Sequence, residues 1–466
     1  MPLTRPNNHA DYTDAMRTPE LLSPAGTLKN MKYAFAYGAD AVYAGQPRYS
    51  LRVRNNDFTH ANLAEGIRIA HELGKRFFVA SNIMPHNAKL KTYMNDLDPV
   101  IAMGPDALIM SDPGLIMLVK DKYPQLPIHL SVQSNTMNWA AVKFWQRAGI
   151  ERIILSRELS LEEIAEIRQQ CPEMELEVFV HGSLCIAYSG RCLLSGYINH
   201  RDPNQGTCTN ACRWKYAAHE AREDASGDLV PVQLHDPNAA DEAPALGEGK
   251  PSERIFLLQE ETRPGEYMPA FEDEHGTYIM NSKDLRAIQH VHRLAEMGVD
   301  SLKIEGRTKS HYYVARTAQA YRKAIDDAVA GRPFDMSLMD TLENLANRGY
   351  TEGFYRRHVH DEYQNYATGN SVGVHQQFVG EIVGHDAQGG YIEVEVKNHF
   401  RKGDTLELMT PAGNHRFVLR EMLDKKGQAA EVAPGSGHRM RIPVDFDTDM
   451  TYALLMRDLP NAPARG

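Results

Sequence analysis

Cysteine is scarce in this chain: five residues in 466, four of them between positions 185 and 212. Also lacking is any run of the ~20 apolar residues that a membrane helix needs. The opening MPLTRPNNHADYTDAMRTPE holds no apolar stretch that would serve as a secretory signal. These absences lead to the expectation of a cytoplasmic protein without a membrane partner. In that compartment thiols stay reduced, so a group of cysteines points to metal binding or catalysis rather than to disulfides. Basic residues are in deficit too, 51 Lys and Arg against 61 Asp and Glu, for a formal charge of -10. Nucleic-acid binding would therefore need a local basic patch. No GxGxxG follows the first apolar run, which disfavours a dinucleotide-binding open sheet.

What is present is a recurring unit: a small turn, an acidic residue, then an apolar run ending in polar groups. It occurs as YGADAVYAG (37–45), MGPDALIMSD (103–112), AGIERIILSRE (148–158) and MGVDSLKIEGR (297–307), each after an amphipathic, helix-like stretch. Strand-like runs at 19–26, 41–45, 77–82, 107–112, 128–135, 152–158, 177–182 and 301–307 make eight βα units. The pattern predicts an α/β fold, a (β/α)8 TIM-like barrel over residues 18–335. The polar residues closing the runs are Ser23, Tyr43, Asn82, Asp112, Gln133, Ser134, Arg157, Glu158, His181, Glu305 and Arg307. In a barrel they gather at the C-terminal mouth, where sites are built; simple strand termination would explain any one of them.

Around this core, residues 1–17 are expected to be disordered, and 182–215 to form a cysteine-rich insertion. The acidic, Ala/Gly/Pro-rich stretch 217–252 reads as mobile. A helical linker is predicted over 336–369. Short alternating strands with Gly, Asn or Asp turns then predict a C-terminal β-barrel over 370–460.

Cys185, Cys192, Cys208 and Cys212 follow C-x6-C-x15-C-x3-C, whereas Cys171 precedes a proline at a helix end and reads as a packed thiol. Four thiolates can hold zinc or an iron–sulfur cluster. Structural zinc favours two tight pairs, and only the second pair is tight here, which favours the bulkier cluster. Gly182, Gly190, Gly196 and Gly206 lie among these ligands and would let backbone approach it.

EVFVHGSLCIAYSGRCLLS (177–195) resembles the signature of the collagenase-like peptidase family U32. The similarity continues through ELLSPAG, GADAVYAG, TCTNACRW, RPGEYM, EDEHGTYIMNSKDL, SLKIEGRTKS and RGYTEGF, over roughly 17–456, and is weakest in the insertion. These stretches resemble one branch of the family, the prephenate-dependent tRNA uridine hydroxylases. The resemblance implies 5-hydroxyuridine formation at the wobble position, without molecular oxygen, using prephenate or a derivative as co-substrate. It also implies a [4Fe-4S] cluster on Cys185, Cys192, Cys208 and Cys212, with Cys212 the least secure. The expected partners are the tRNA anticodon loop, the small co-substrate and an unidentified protein.

Such chemistry suggests roles. His181 and then His275 are general acid/base candidates, and Arg191, Glu305 and Arg307 are placed with His181 as catalytic. Arg157 and Arg263, like Arg191 and Arg307, could fork onto carboxylates. Tyr188, Asn82 and Gln133 complete the substrate-binding set, with Tyr43 and Tyr278 as further stacking platforms. For RNA, the basic, Tyr-bearing segments 306–316, 321–324 and 348–358 are candidates. Two rivals stand beside this reading: a metal-dependent peptidase and a non-catalytic, cluster-bearing tRNA-binding protein. HELGK (71–75) lacks the second His of HExxH, and GNSVG (369–373) matches a nucleophile elbow without a helix to follow it.

Overall fold

The computed structural model describes residues 17–51, 57–184, 188, 284–345, 347, 349–356, 376–386, 389–445 and 448–459, with the backbone of strands lying between 216 and 277. The eight expected runs form eight parallel strands: β1 (Glu20–Pro24), β2 (Ala41–Gly45), β3 (Arg76–Ser81), β4 (Ala107–Met110), β5 (Ile128–Leu130), β6 (Arg152–Ile154), β7 (Glu175–Ser183) and β8 (Ser301–Ile304). Each pairs with the next, and β8 pairs with both β7 and β1, so the sheet closes into the predicted barrel. The surrounding helices are α1 (Leu28–Ala36), α2 (His60–Glu72), α3 (Asn87–Ala102), α4 (Pro113–Lys122), α5 (Trp139–Arg147), α6 (Leu161–Gln170), α7 (Val291–Glu296) and α8 (His311–Val329).

The recurring turn-plus-acid unit has a structural cause. After the helix a glycine takes a left-handed conformation, as at Gly104 and Gly298, with φ of 76° and 75°. The aspartate two residues on then accepts a backbone N–H from the neighbouring strand. Asp40 accepts from Leu21 N at 2.9 Å, Asp106 from Phe77 N at 2.7 Å and Asp300 from Leu176 N at 2.9 Å. Each carboxylate thus fixes strand register at the lower, N-terminal end of the barrel. Some polar residues at the other end also have local work. Asp112 caps α4, accepting from Leu115 N at 2.8 Å, and the Ser134 hydroxyl donates to the Ser111 carbonyl at 2.9 Å.

Below the mouth the barrel encloses charge. Arg152 on β6 reaches Glu20 on β1 at 2.6 Å, a contact between non-adjacent strands that only the interior permits. It also meets Glu175 at 2.8 Å and Glu177 at 3.2 Å, and Glu177 takes Lys303 Nζ at 2.7 Å. Arg152 is 2% exposed and Glu177 0%. Ions so buried persist only when paired.

β7 is long enough to pair β6 with its first residues and the short strand Asp284–Arg286 with its last. There Ser183 stands opposite Asp284, antiparallel. The chain between these two residues therefore leaves and re-enters at one place. Within it, 217–252 was expected to be aperiodic, yet Tyr216–Glu223 and Leu229–Pro231 are strands, joined to Ile255–Glu260 and Tyr267–Ala270 in one antiparallel sheet. The apolar run Ile-Phe-Leu-Leu supplies a partner strand that the Ala- and Glu-rich segment did not announce. Likewise 336–369 holds the helix Ser337–Glu343 and then the strand Tyr350–Thr351, which extends the barrel sheet beside Asp284–Arg286.

The C-terminal region is β-rich as expected. Seven strands run in the order 413–418, 405–410, 454–458, 376–386, 391–396, 439–443 and 423–424 around a separate core of Val379, Ile392, Val394, Phe400, Leu406 and Leu455. Met409, Leu454 and Met456 instead join the barrel's core, so the two domains share an apolar seam. Tyr37 donates across it to the Met409 and Tyr452 carbonyls, both at 3.0 Å. Glu381 meets His311 at 3.2 Å and Lys29 at 2.5 Å. The His311 imidazole and then the Lys29 ammonium hold its carboxyl down to about 2, against the burial that would raise it. A depressed carboxyl stabilises the folded state above its unfolded value of 4.5, and that contribution fades as pH falls from there toward 2. The stability advantage of the wild type over Glu381→Gln, read from urea midpoints, is expected to be full at pH 6 and to shrink below 4.5; a constant difference across the window would remove this ion pair from the seam's energetics.

Candidate active site at the barrel mouth

The loop after β8 is sunk into the mouth rather than standing above it. A Cβ on Gly26 would overlap the Arg307 carbonyl, one on Gly45 would lie 2.5 Å from Arg307 Nη1, and one on Gly182 would lie 2.5 Å from the Glu305 carbonyl. Three strand ends thus give up a side chain so that Glu305–Arg307 can lie against them. Gly182 also carries a φ of +106°, which L side chains rarely adopt.

This packing fixes two charged groups. Arg307 Nη2 donates to the Leu51 carbonyl at 2.7 Å, and its guanidinium lies 5.8 Å from the Tyr43 ring centroid. Glu305 Oε2 takes Arg157 Nη2 at 3.1 Å. The Arg157 guanidinium lies 3.8 Å from the Phe179 ring centroid, and its Nε is buried without a hydrogen-bond partner. Arg157 is therefore a rim ion pair and also a guanidinium with an unspent donor.

On the opposite side Asn82 and Gln133 are joined. Asn82 Nδ2 donates to Gln133 Oε1 at 2.9 Å, the Ser131 hydroxyl donates to the same oxygen, and Asn82 Oδ1 accepts Leu51 N at 3.1 Å. Leu51 hence ties the amide pair to Arg307 through its own backbone. Asn82, Gln133, Arg157, Glu305 and Arg307, five of the expected site residues, come together on this rim. Tyr188 is 52% exposed. Arg191, Arg263, Cys185, Cys192, Cys208 and Cys212 lie outside the described residues, as do His275 and Tyr278.

His181 is a correction. Strand alternation would set it on the inner face with Glu177 and Phe179. The register with β8 shifts instead, Lys303 pairing Phe179 and Ile304 pairing His181, so Val180 is an extra residue. His181 turns outward to a nest of Tyr350, Tyr321 and Tyr313, with ring centroids at 5.4, 5.6 and 5.8 Å. It is 1% exposed, and burial draws its pKa down to about 3. A neutral, enclosed imidazole cannot exchange protons with a substrate at pH 7.

Within the basic, Tyr-bearing segments 306–316 and 321–324, the residues Arg316, Tyr313 and Tyr321 are a second correction. Arg316 is 1% exposed and pairs Glu407 of the C-terminal domain at 2.8 Å, and Tyr313 and Tyr321 are buried. Arg322 is spent on Asp40 and Asp326, and Lys323 on Asp327. At Arg316 the helix face that looked solvated is covered by the second domain, and Tyr313 and Tyr321 pack inward around His181. His71 of HELGK sits on the outer helix α2, 3.1 Å from Asp106.

Sequence reasoning missed Phe179, Lys303 and Tyr313. Lys303 lies 4.2 Å from the Tyr43 ring centroid, and burial lowers its pKa. Tyr313 donates its hydroxyl to the Glu305 carbonyl at 2.8 Å. A signal existed for Lys303: a charged residue midway along an otherwise apolar strand.

The profile of peptidase family U32 matches residues 26–365, and that of the family's C-terminal domain matches 375–457. The chain is 66% identical over 456 residues to tRNA hydroxylation protein P of Escherichia coli (strain K12), covering 97% of this chain and 99% of that one. It is 64% identical over 452 residues to tRNA hydroxylation protein P of Haemophilus influenzae, covering 96% and 98%. The 23S rRNA 5-hydroxycytidine C2501 synthase of Escherichia coli is 26% identical over 446 residues, which cover 94% of this chain and 59% of that protein.

Proposed function

The chain belongs to peptidase family U32, and from that membership we propose that it hydroxylates RNA rather than cleaving peptides. One observation carries the reading: 66% identity that spans 99% of a protein named for tRNA hydroxylation. In its finer form the proposal is cytoplasmic 5-hydroxylation of the wobble uridine of tRNA, without molecular oxygen and with prephenate or a derivative as co-substrate.

Turning a pyrimidine C–H into C–OH is a two-electron oxidation. It needs an oxygen donor, an electron acceptor and a base lifted from its stack. Unstacking is cheap in a single-stranded anticodon loop. The Asn82–Gln133 amide pair would face the polar edge of such a base, and Arg307 with Arg157 would take carboxylates of the co-substrate. Glu305 and the Phe179 ring orient Arg157.

Cys185, Cys192, Cys208 and Cys212 would hold a [4Fe-4S] cluster, an all-sulfur donor set that suits iron. The first of them follows directly on Leu184, at the end of a strand that finishes at the mouth. When bound, the cluster supplies electron transfer. His181 is assigned no proton, because it is closed off from the mouth.

The test is nucleoside analysis of tRNA from a deletion strain. The expected result is loss of the uridine carrying one extra oxygen, restored by the wild-type gene; unchanged tRNA together with altered peptide turnover would reject the hydroxylase reading. A Gly26→Ala protein gives a second check. Its new methyl must push the Arg307 carbonyl away, and a misplacement of about 1 Å can cost about 100-fold in rate. Hydroxylation is expected to fall toward that extent while the protein stays folded, and full activity would remove the sunken loop from the site.

A further inference from the structure

Between the barrel and the β-rich domain lies a cleft of about 430 Å3. Asn344, 4% exposed, lines it. Its Nδ2 donates to Gln376 Oε1 at 3.3 Å, whereas its Oδ1 has no hydrogen-bond partner. A buried acceptor left unmatched is costly, and a ligand seated beside Asn344 could supply its donor. One wall is the Tyr312–Phe378 pair, a ring from each domain, with centroids 5.1 Å apart and planes 10° from parallel. Lys309 and Ser310 also line the cleft, and the Ser310 hydroxyl caps the 19-residue helix α8. A cationic side chain and the positive end of a long helix therefore meet there. Tyr313 forms a further wall, and its hydroxyl donates to the Glu305 carbonyl, which ties the cleft to the loop at the mouth.

We propose that this cleft binds one nucleotide of the RNA, flanking the residue presented to the mouth. The inference rests on the RNA-hydroxylase reading. The phosphate lies at Lys309 and the first turn of α8, the base lies along the Tyr312–Phe378 rings, and an N–H on the base edge donates to Asn344 Oδ1. The three demands of the cleft, for an anion, a flat ring and a ring-edge donor, are met together by a nucleotide. Inorganic phosphate or a simple carboxylic acid meets only the first, and an aliphatic peptide offers no flat ring. The volume agrees with small-molecule pockets of about 300–1,000 Å3.

The experiment is fluorescence anisotropy of a dye-labelled tRNA transcript, with uridine first in its anticodon, against full-length wild type, Lys309→Ala and Asn344→Leu. Each variant is expected to bind about tenfold more weakly, and Lys309→Ala to reduce the salt slope by about one. A transcript carrying 4-thiouridine should photocrosslink the wild type within 309–313, 344–345 or 376–378, a readout that needs neither turnover nor a variant that folds. Unchanged affinity in the variants with crosslinks only elsewhere would overturn the cleft while leaving the RNA reading intact. Failure of the wild type to bind the transcript at all would overturn both.

Discussion

Arg152→Met is expected to cost the protein about 3–5 kcal/mol of stability at neutral pH. The guanidinium is 2% exposed and contacts three carboxylates, those of Glu20, Glu175 and Glu177. Its removal leaves Glu177, fully enclosed, facing Lys303 alone, and leaves Glu20 to Arg76 and the Ser301 hydroxyl. A buried charge stripped of its partner must be hydrated, be protonated, or unfold the barrel, and each route costs free energy. The double replacement Glu177→Met with Lys303→Met removes a whole pair and should cost markedly less than either single change. Urea titration of these four variants beside the wild type measures this directly. A loss below about 1 kcal/mol for Arg152→Met would mean that water already reaches the barrel's centre.

Cys192→Ala is expected to abolish tRNA hydroxylation outright and to lower bound iron and sulfide in protein purified without oxygen. A cluster on three thiolates is exposed to loss, because its fourth iron has no protein ligand. The β-rich domain should keep its fold, since its core of Val379, Ile392 and Leu455 is its own. Nucleoside analysis of tRNA and elemental analysis of the protein give two independent readings. Hydroxylation at the wild-type level would sink the cluster's catalytic role, and one stoichiometric zinc in place of iron would sink its identity.

The barrel was legible because its strands are short apolar runs between helix-like stretches, four of them with a glycine and an acid before them, and both of those residues have structural causes. The rim at Asn82, Gln133, Arg157, Glu305 and Arg307 was legible because polar residues that end buried strands have few other places to go. His181 was misplaced by one inserted residue: periodicity says which face a side chain takes only while the register holds, and Val180 breaks it. Arg316 misled for another reason. A helix with polar residues on its outer side looks solvated until a second domain covers it, and no local pattern announces that cover. Glu177 and Lys303 were readable as charges but not as partners, because they meet only when β7 and β8 lie side by side.

The opposed residues Ser183 and Asp284 have a consequence for changes of chain length. The pairing holds the two ends of the intervening chain together, so the length of that chain does not enter the spacing of the eight staves. Doubling a loop adds only about 0.6 kcal/mol to its closure. A change in the length of this segment is therefore tolerable to the scaffold so long as Ser183 and Asp284 stay paired.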